Sequence, residues 1–192
     1  MKILCYGDSN TYGYDGTDPF GGRLPENARW PELLGRSIGC ECLNLGLNGR
    51  RVPRYPRSVD ADLRLLSRAG SGDLIIVMLG TNDLLCGAEP EDTAAHLKSF
   101  LEKLKCLKPD CPLLVAAPPP VDIAGEDFSA AIEALAAAYC SMAHEIGASF
   151  VNAAAWQIPT VGDGIHFSQR GHMLFALKMG QTLRTLANSI GL

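Results

Sequence analysis

The sequence predicts an α/β protein in which helices cover both faces of a parallel sheet. Three observations lead there. Short apolar runs alternate five times with longer segments whose apolar residues recur at helical spacing. Hairpin signals between those runs are absent, so consecutive strands are joined by crossovers and run parallel. The run Leu74-Ile75-Ile76-Val77-Met78-Leu79 is apolar at every position, as a strand buried on both faces of a sheet must be.

The first strand is Met1-Lys2-Ile3-Leu4-Cys5-Tyr6, and it runs into Gly7-Asp8-Ser9-Asn10-Thr11. A sharp turn there leaves the Ser9 hydroxyl at the strand's carboxyl end, where open α/β sheets place their ligands. The alternative role for Ser9 is to cap the turn that follows. Residues 12–27 are rich in Gly, Pro, Asp and Tyr and show no periodicity, so they read as a functional loop leaving the Ser9 turn. Tyr12, Tyr14 and Phe20 are its candidate pocket residues, with packing of the loop as the alternative role. Trp30, Leu33, Leu34 and Ile38 mark the first crossover helix, with Pro31 in its first turn and Gly39 at its stop.

Residues 40–45 form the second strand, which ends in Asn44-Leu45-Gly46-Leu47-Asn48-Gly49. Glycines just beyond a strand let backbone N–H groups approach a ligand, with an ordinary turn as the alternative. Arg50, Arg51, Arg54 and Arg57 follow, interleaved with Pro53 and Pro56. This basic cluster reads as a solvated loop or subunit contact, and less readily as a site for an anionic substrate. Val59, Leu63 and Leu66 mark a second helix closed by Gly70. The third strand then ends at Gly80-Thr81-Asn82-Asp83, which sets the Asn82 amide at another strand end, with an Asx turn as the alternative role.

Residues 91–107 form an amphipathic helix with Leu97, Phe100, Leu101, Leu104 and Leu107 on one stripe and His96 as a surface or packing residue. Strand four, residues 113–117, is stopped by Pro118-Pro119-Pro120, an extended loop at the rim of the sheet. Residues 129–146 place Ile132, Leu135, Tyr139, Met142 and Ile146 at helical spacing, with His144 read as structural. After the last strand, residues 149–152, a loop delivers Asp163-Gly164-Ile165-His166. Ser168 caps the final helix, whose Leu174, Leu177, Leu183, Leu186 and Ile190 are expected to face the core.

Length and composition bound the rest. A chain of 192 residues fits one domain spanning 1–192. A net charge of -4 with a pI near 5.5 argues against a nucleic-acid partner. The seven cysteines (Cys5, Cys40, Cys42, Cys86, Cys106, Cys111, Cys140) are odd in number and lack C-x-x-C spacing, so reduced and mostly buried thiols are expected and no metal site. Alternation puts Cys40 and Cys42 on one face of the strand, as packing residues. No signal-peptide pattern follows Lys2 and no apolar run reaches a membrane span, so the expected location is cytoplasmic, without a membrane partner.

In the strand order 2-1-3-4-5, that of a flavodoxin-like three-layer α/β/α sandwich, the first strand lies between the second and third. Ser9, Gly49 and Asn82 then meet at the switch point, and the loop after the last strand presents Asp163 and His166 toward Ser9. A hydroxyl is a poor nucleophile until an imidazole can take its proton, which makes His166 the base and Asp163 its orienting acid. The oxyanion donors are the backbone N–H of Ser9, the backbone N–H of Gly49 and the Asn82 amide. His172 is a rival base, but it lies within the last helix without an acidic residue three positions earlier.

Gly7-Asp8-Ser9, Gly49, Gly80-Thr81-Asn82-Asp83 and Asp163-Gly164-Ile165-His166 together resemble the four sequence blocks of the SGNH hydrolases, or GDSL-type esterases. The resemblance runs from residue 3 into the final helix. It implies the flavodoxin-like fold and metal-independent, cofactor-free ester hydrolysis on Ser9, with Ser9, Asp163 and His166 catalytic and Ser9, Gly49 and Asn82 in the oxyanion hole. Tyr12-Gly13-Tyr14, Ala28-Arg29-Trp30, Gly46-Leu47-Asn48-Gly49-Arg50 and Ala117-Pro118-Pro119-Pro120 are most similar to the arylesterase and acyltransferase branch, which acts on short acyl esters. Tyr12 and Tyr14 are the expected substrate contacts. One departure is Asn10, where the family name has Leu; it is expected to alter packing behind the serine without touching the catalytic assignment. Another is a shorter second loop, which leaves a homo-oligomer open. Two alternatives stand beside the esterase: a carbohydrate O-deacetylase acting on sugar esters, and a non-catalytic flavodoxin-like binding module. Without a G-x-x-x-x-G-K-[ST] or G-x-G-x-x-G loop, a nucleotide site for the latter has no sequence support.

Overall fold

Alternation along β1 (Lys2–Gly7) sends Ile3 and Cys5 to one face of the sheet and Leu4 and Tyr6 to the other, and all four are fully buried. The computed structural model describes residues 1–123 and 126–190 of the chain. After β1 come α1 (Ser9–Tyr12), α2 (Trp30–Ile38), β2 (Glu41–Gly46), α3 (Pro56–Arg68) and β3 (Leu74–Met78). They are followed by α4 (Thr81–Leu85), α5 (Pro90–Leu107), β4 (Leu113–Ala116), β5 (Asp122–Ile123) and β6 (Glu126–Asp127). The chain ends with α6 (Ser129–Glu145), β7 (Ser149–Val151) and α7 (Gln169–Ile190).

The main sheet has five strands in the order β2-β1-β3-β4-β7, every pair parallel. With β5 and β6 set aside, this is the expected order 2-1-3-4-5. Those two strands form a separate antiparallel pair, Asp122 opposite Asp127 and Ile123 opposite Glu126, which the sequence reading had not anticipated. Two residues per strand are too few to write an alternation pattern.

The central strands β3 and β4 are covered on both faces of the sheet and apolar throughout, whereas the edge strand β2 carries Glu41 and Asn44 and is only partly buried. On one face Leu4, Tyr6, Ile75, Val77, Leu113 and Val115 pack under α3, α5 and α6. On the other, Ile3, Cys5, Ile76, Met78, Leu114 and Ala116 pack under α2 and α7. There Trp30 of α2 meets Phe175 of α7 with ring centroids 4.9 Å apart, and Cys40 and Cys42 pack onto the same cluster.

Helix termini follow the expected chemistry. Gly39 closes α2 in the left-handed region at φ 69°, and the Ser168 hydroxyl accepts the Gly171 N–H at the start of α7. Four expectations need correcting. Leu107, the last residue of α5, is 46% exposed, and Leu177 is 54% exposed because it faces away from the sheet on α7, between buried Ala176 and Met179. His144 is exposed on α6. Of the cysteines only Cys5 and Cys111 are buried, while Cys86, Cys106 and Cys140 are exposed. The side chain of Ile190 lies outside the described residues.

The largest correction concerns Arg50, which is buried. Its guanidinium donates to the carbonyls of Gly7 and Leu45, at the carboxyl ends of β1 and β2. It also pairs with Asp62 of α3 at 3.5 Å and lies over the Tyr6 ring at 4.4 Å. Strand ends in a parallel sheet leave carbonyls without ladder partners, and a five-donor planar cation can satisfy several at once. Replacing Arg50 with Met should lower the unfolding free energy by about 3 kcal/mol, since the Asp62 carboxylate loses its cation in a poorly hydrated place. Urea denaturation followed by circular dichroism checks this, and an unchanged midpoint would contradict it.

Candidate active site

The nucleophile candidate stands on a one-turn helix. Asp8 caps α1, its Oδ1 accepting the Asn10 N–H at 3.0 Å, and Gly13 ends the turn at φ 85° by donating to the Ser9 carbonyl at 2.9 Å. Ser9 is the first residue of that helix, so its N–H has no acceptor within the helix. The expected capping role thus belongs to Asp8. The backbone of β2 comes so close beneath α1 that a Cβ on Gly46 would lie 2.1 Å from the Tyr12 nitrogen, a place where only glycine fits.

The candidate base comes from the loop between β7 and α7. His166 Nε2 lies 3.1 Å from Ser9 Oγ, across 157 positions of sequence, and His166 Nδ1 lies 2.6 Å from Asp163 Oδ2. The other carboxylate oxygen of Asp163 accepts the backbone N–H groups of Ile165 and His166 at 2.8 and 2.9 Å. Burial alone would raise the Asp163 carboxyl, but the His166 ring and these two N–H donors outweigh it and hold the carboxyl below its ordinary value. Asp163 therefore stays ionised through the neutral range and fixes the imidazole with its proton on Nδ1. Between these two residues Gly164 turns at φ 70°, and a Cβ there would lie 1.6 Å from the Asp122 carbonyl oxygen. The segment after the prolines is thus seated on the loop, with the Asp122 N–H donating to the Gly164 carbonyl at 2.9 Å.

The remaining site candidates come from two other strand ends. Gly49 lies in the tight turn after β2, at φ 68° and exposed. The side-chain amide of Asn82, in the first turn of α4, donates to the Arg50 carbonyl at 3.1 Å. That bond uses one of its two amide hydrogens and leaves the second. Asp83, buried next to it, accepts the Val52 N–H at 2.9 Å and faces Arg51 Nε at 3.4 Å. Asp83, to which sequence spacing assigns no role, secures the turn that carries Gly49.

The loop residues divide. Tyr14 lies against the His166 ring, with centroids 4.4 Å apart and planes tilted by 45°. Tyr12 instead packs under the Arg23 guanidinium at 4.2 Å. Phe20 is 96% exposed and walls nothing, because Asp15 and Asp18 hold their own turns and carry the tip outward. Among the described residues no group of three or more His, Cys, Asp or Glu is placed to hold a metal ion. Nor is any helix among them long and apolar enough to cross a membrane.

The sequence model of the GDSL-like Lipase/Acylhydrolase family matches residues 5–174. The chain belongs to that family. Solved structures agree with the assignment. An aryl esterase of M. smegmatis is 25% identical, with a TM-score of 0.80 over 96% of this chain and 99% of its own. A protein of Agrobacterium tumefaciens, provisionally called an arylesterase, is 26% identical, with a TM-score of 0.82 over 96% and 98%. Est24, a carbohydrate acetylesterase from Sinorhizobium meliloti, shares the fold at 24% identity, with a TM-score of 0.82 over 96% and 99%. No curated protein matches the chain. This GDSL-like acylhydrolase is a carboxylic ester hydrolase, so the binding-module alternative falls away.

The rival base is accounted for as well. His172 of α7 is fully buried, and its Nδ1 accepts the Trp30 N–H at 3.3 Å, at the start of α2. Burial, with Arg29 nearby, pushes its pKa down to about 4. It is a neutral acceptor for a helix terminus, closed off from substrate. A histidine depressed in the folded state binds fewer protons there than in the unfolded chain, so it withdraws stability as pH falls from about 6.5 toward 4. Asp8, whose carboxyl burial raises to about 6, acts in the opposite sense over part of that window. The His172 contribution is therefore read from the difference between wild type and His172→Asn. Urea titrations from pH 7 to 4 should show wild type losing up to on the order of 3 kcal/mol more than the variant; parallel curves would contradict the assignment.

Proposed function

We propose that this esterase hydrolyses short acyl esters through an acyl-enzyme on Ser9. The observation that carries the reading is the continuous chain Ser9 Oγ, His166 Nε2, His166 Nδ1, Asp163 Oδ2, with contacts of 3.1 and 2.6 Å. In the first half-reaction His166 Nε2 takes the hydroxyl proton as Ser9 Oγ bonds to the ester carbonyl carbon. The imidazolium so formed is stabilised by the Asp163 carboxylate and returns the proton to the departing alcohol oxygen. In the second, water gives its proton to His166 and attacks the acyl carbon, and Ser9 leaves with the proton restored. Both tetrahedral intermediates carry an oxyanion, for which the Ser9 N–H, the Gly49 N–H and the free Asn82 amide hydrogen are the donors. Tyr14, against the imidazole, is the substrate-side residue closest to the reacting groups on this reading, and Tyr12 supports the same loop one step back. The aryl esterase of M. smegmatis among the structural neighbours supports aryl esters as substrates.

The test is a panel of p-nitrophenyl esters of increasing acyl length, with acetylated sugars beside them, run on wild type, Ser9→Ala and Asn82→Ala. Wild type should favour acetate over long chains and be labelled by a fluorophosphonate. Ser9→Ala should lose both activities. Asn82→Ala should keep its labelling site while kcat falls about 10²- to 10³-fold, the usual effect of removing one oxyanion donor. Equal labelling of wild type and Ser9→Ala would remove Ser9 from the role, and faster turnover of acetylated sugars than of aryl acetates would move the substrate class to carbohydrate esters.

A further inference from the structure

The residue after the nucleophile is bonded to the backbone on both sides of the base. Asn10 is buried on α1. Its Oδ1 accepts the Phe167 N–H at 2.8 Å, and its Nδ2 donates to the Ile165 carbonyl at 3.1 Å. Ile165 and Phe167 are the immediate neighbours of His166 in the chain. The Asn10 amide therefore spans the imidazole-bearing residue, while its own backbone N–H is held by Asp8. This corrects the expectation that Asn10 only repacks the space behind the serine.

We propose that Asn10 is the positioning residue that sets the Ser9–His166 distance, an inference that rests on the acyl-enzyme reading above. Other bonds around His166 shape the loop from within. Asp163 accepts from Ile165 and His166, and the His166 carbonyl accepts from Val161 at 2.8 Å. None of these fixes where the loop lies relative to α1. The Asn10 bonds do, because Ser9 and Asn10 are consecutive residues of one helical turn, and a shift of His166 away from Ser9 must stretch both. An amide suits the task because it carries a donor and an acceptor on one carbon, matching a C=O and an N–H two residues apart. A leucine, with the same number of side-chain heavy atoms, makes neither bond.

The experiment compares wild type, Asn10→Leu, Asn10→Asp and Ser9→Ala on p-nitrophenyl acetate from about pH 5 to pH 9, with fluorophosphonate labelling and thermal unfolding of each. Asn10→Leu should remain folded while kcat and the labelling rate per folded molecule fall together, about 10- to 100-fold, with KM within about two-fold, as displacement of a base predicts. Asn10→Asp keeps the acceptor for Phe167 but brings a carboxylate toward the imidazole, so the acid limb of its kcat/KM profile should move to higher pH. The proposal is overturned if Asn10→Leu keeps the wild-type kcat. It is equally overturned if the loss only tracks the unfolded fraction and the Asn10→Asp profile does not move. A Ser9→Ala protein that still turns over removes the acyl-enzyme reading and this inference with it. An inactive Ser9→Ala beside an unimpaired Asn10→Leu removes this inference alone.

Discussion

The buried guanidinium of Arg50 is the constraint on which the carboxyl end of the sheet depends. It holds the terminal carbonyls of β1 and β2 with its side chain and receives the Asn82 amide on its own carbonyl. Three strand ends are thereby held together by one residue, and these are the three that carry Ser9, Gly49 and Asn82. A cation in such a place needs a counter-charge, and Asp62 from α3 supplies it, which couples the helix layer to the geometry above the sheet. Asp83 does the same work one residue further on by holding Val52 and Arg51. The turn with Gly49 is exposed, but both of its flanks are fastened to buried groups.

Two histidines and two aspartates show how environment separates roles that residue type cannot. His166 has a carboxylate on one nitrogen and a hydroxyl on the other, at the edge of the protein, so it can cycle a proton. His172 is enclosed against Trp30, and burial keeps it neutral. Asp163 has three donors and remains charged. Asp8, buried at the start of α1, has its carboxyl raised to about 6, and its bond to the Asn10 N–H makes it part of the platform under the serine. Sequence spacing alone already favoured His166, because Asp163 stands three positions before it; only packing shows that His172 has no path to substrate.

Much of the architecture was legible in the sequence because burial on both faces leaves little freedom. Leu74 to Leu79 had to be a central strand, and the stops at Gly39 and Gly147 bound their helices. The convergence of Ser9, His166 and Asp163 was legible through short blocks after the first and last strands of the main sheet. What was not legible was side-chain work across long sequence separations. Arg50 looked like a surface arginine because its partners, Gly7, Leu45 and Asp62, lie in other elements. Asn10 looked like a packing substitution because its partners lie 155 and 157 positions away. Phe20 looked like a pocket aromatic, yet the turns around Asp15 and Asp18 direct it to solvent.

The helix α1 is a single turn, capped by Asp8 and ended by Gly13, with the N–H of its first residue, Ser9, unpaired within the helix at the carboxyl end of β1. A single turn has little stability of its own. Its rigidity must come from neighbours: the β2 backbone pressed against it at Gly46 and the histidine loop bonded to it through Asn10. The histidine loop thus helps to hold the turn that carries Ser9, and that turn holds the loop. Ser9 and His166 are parts of one unit, and a change that loosens either should be felt first in their mutual distance.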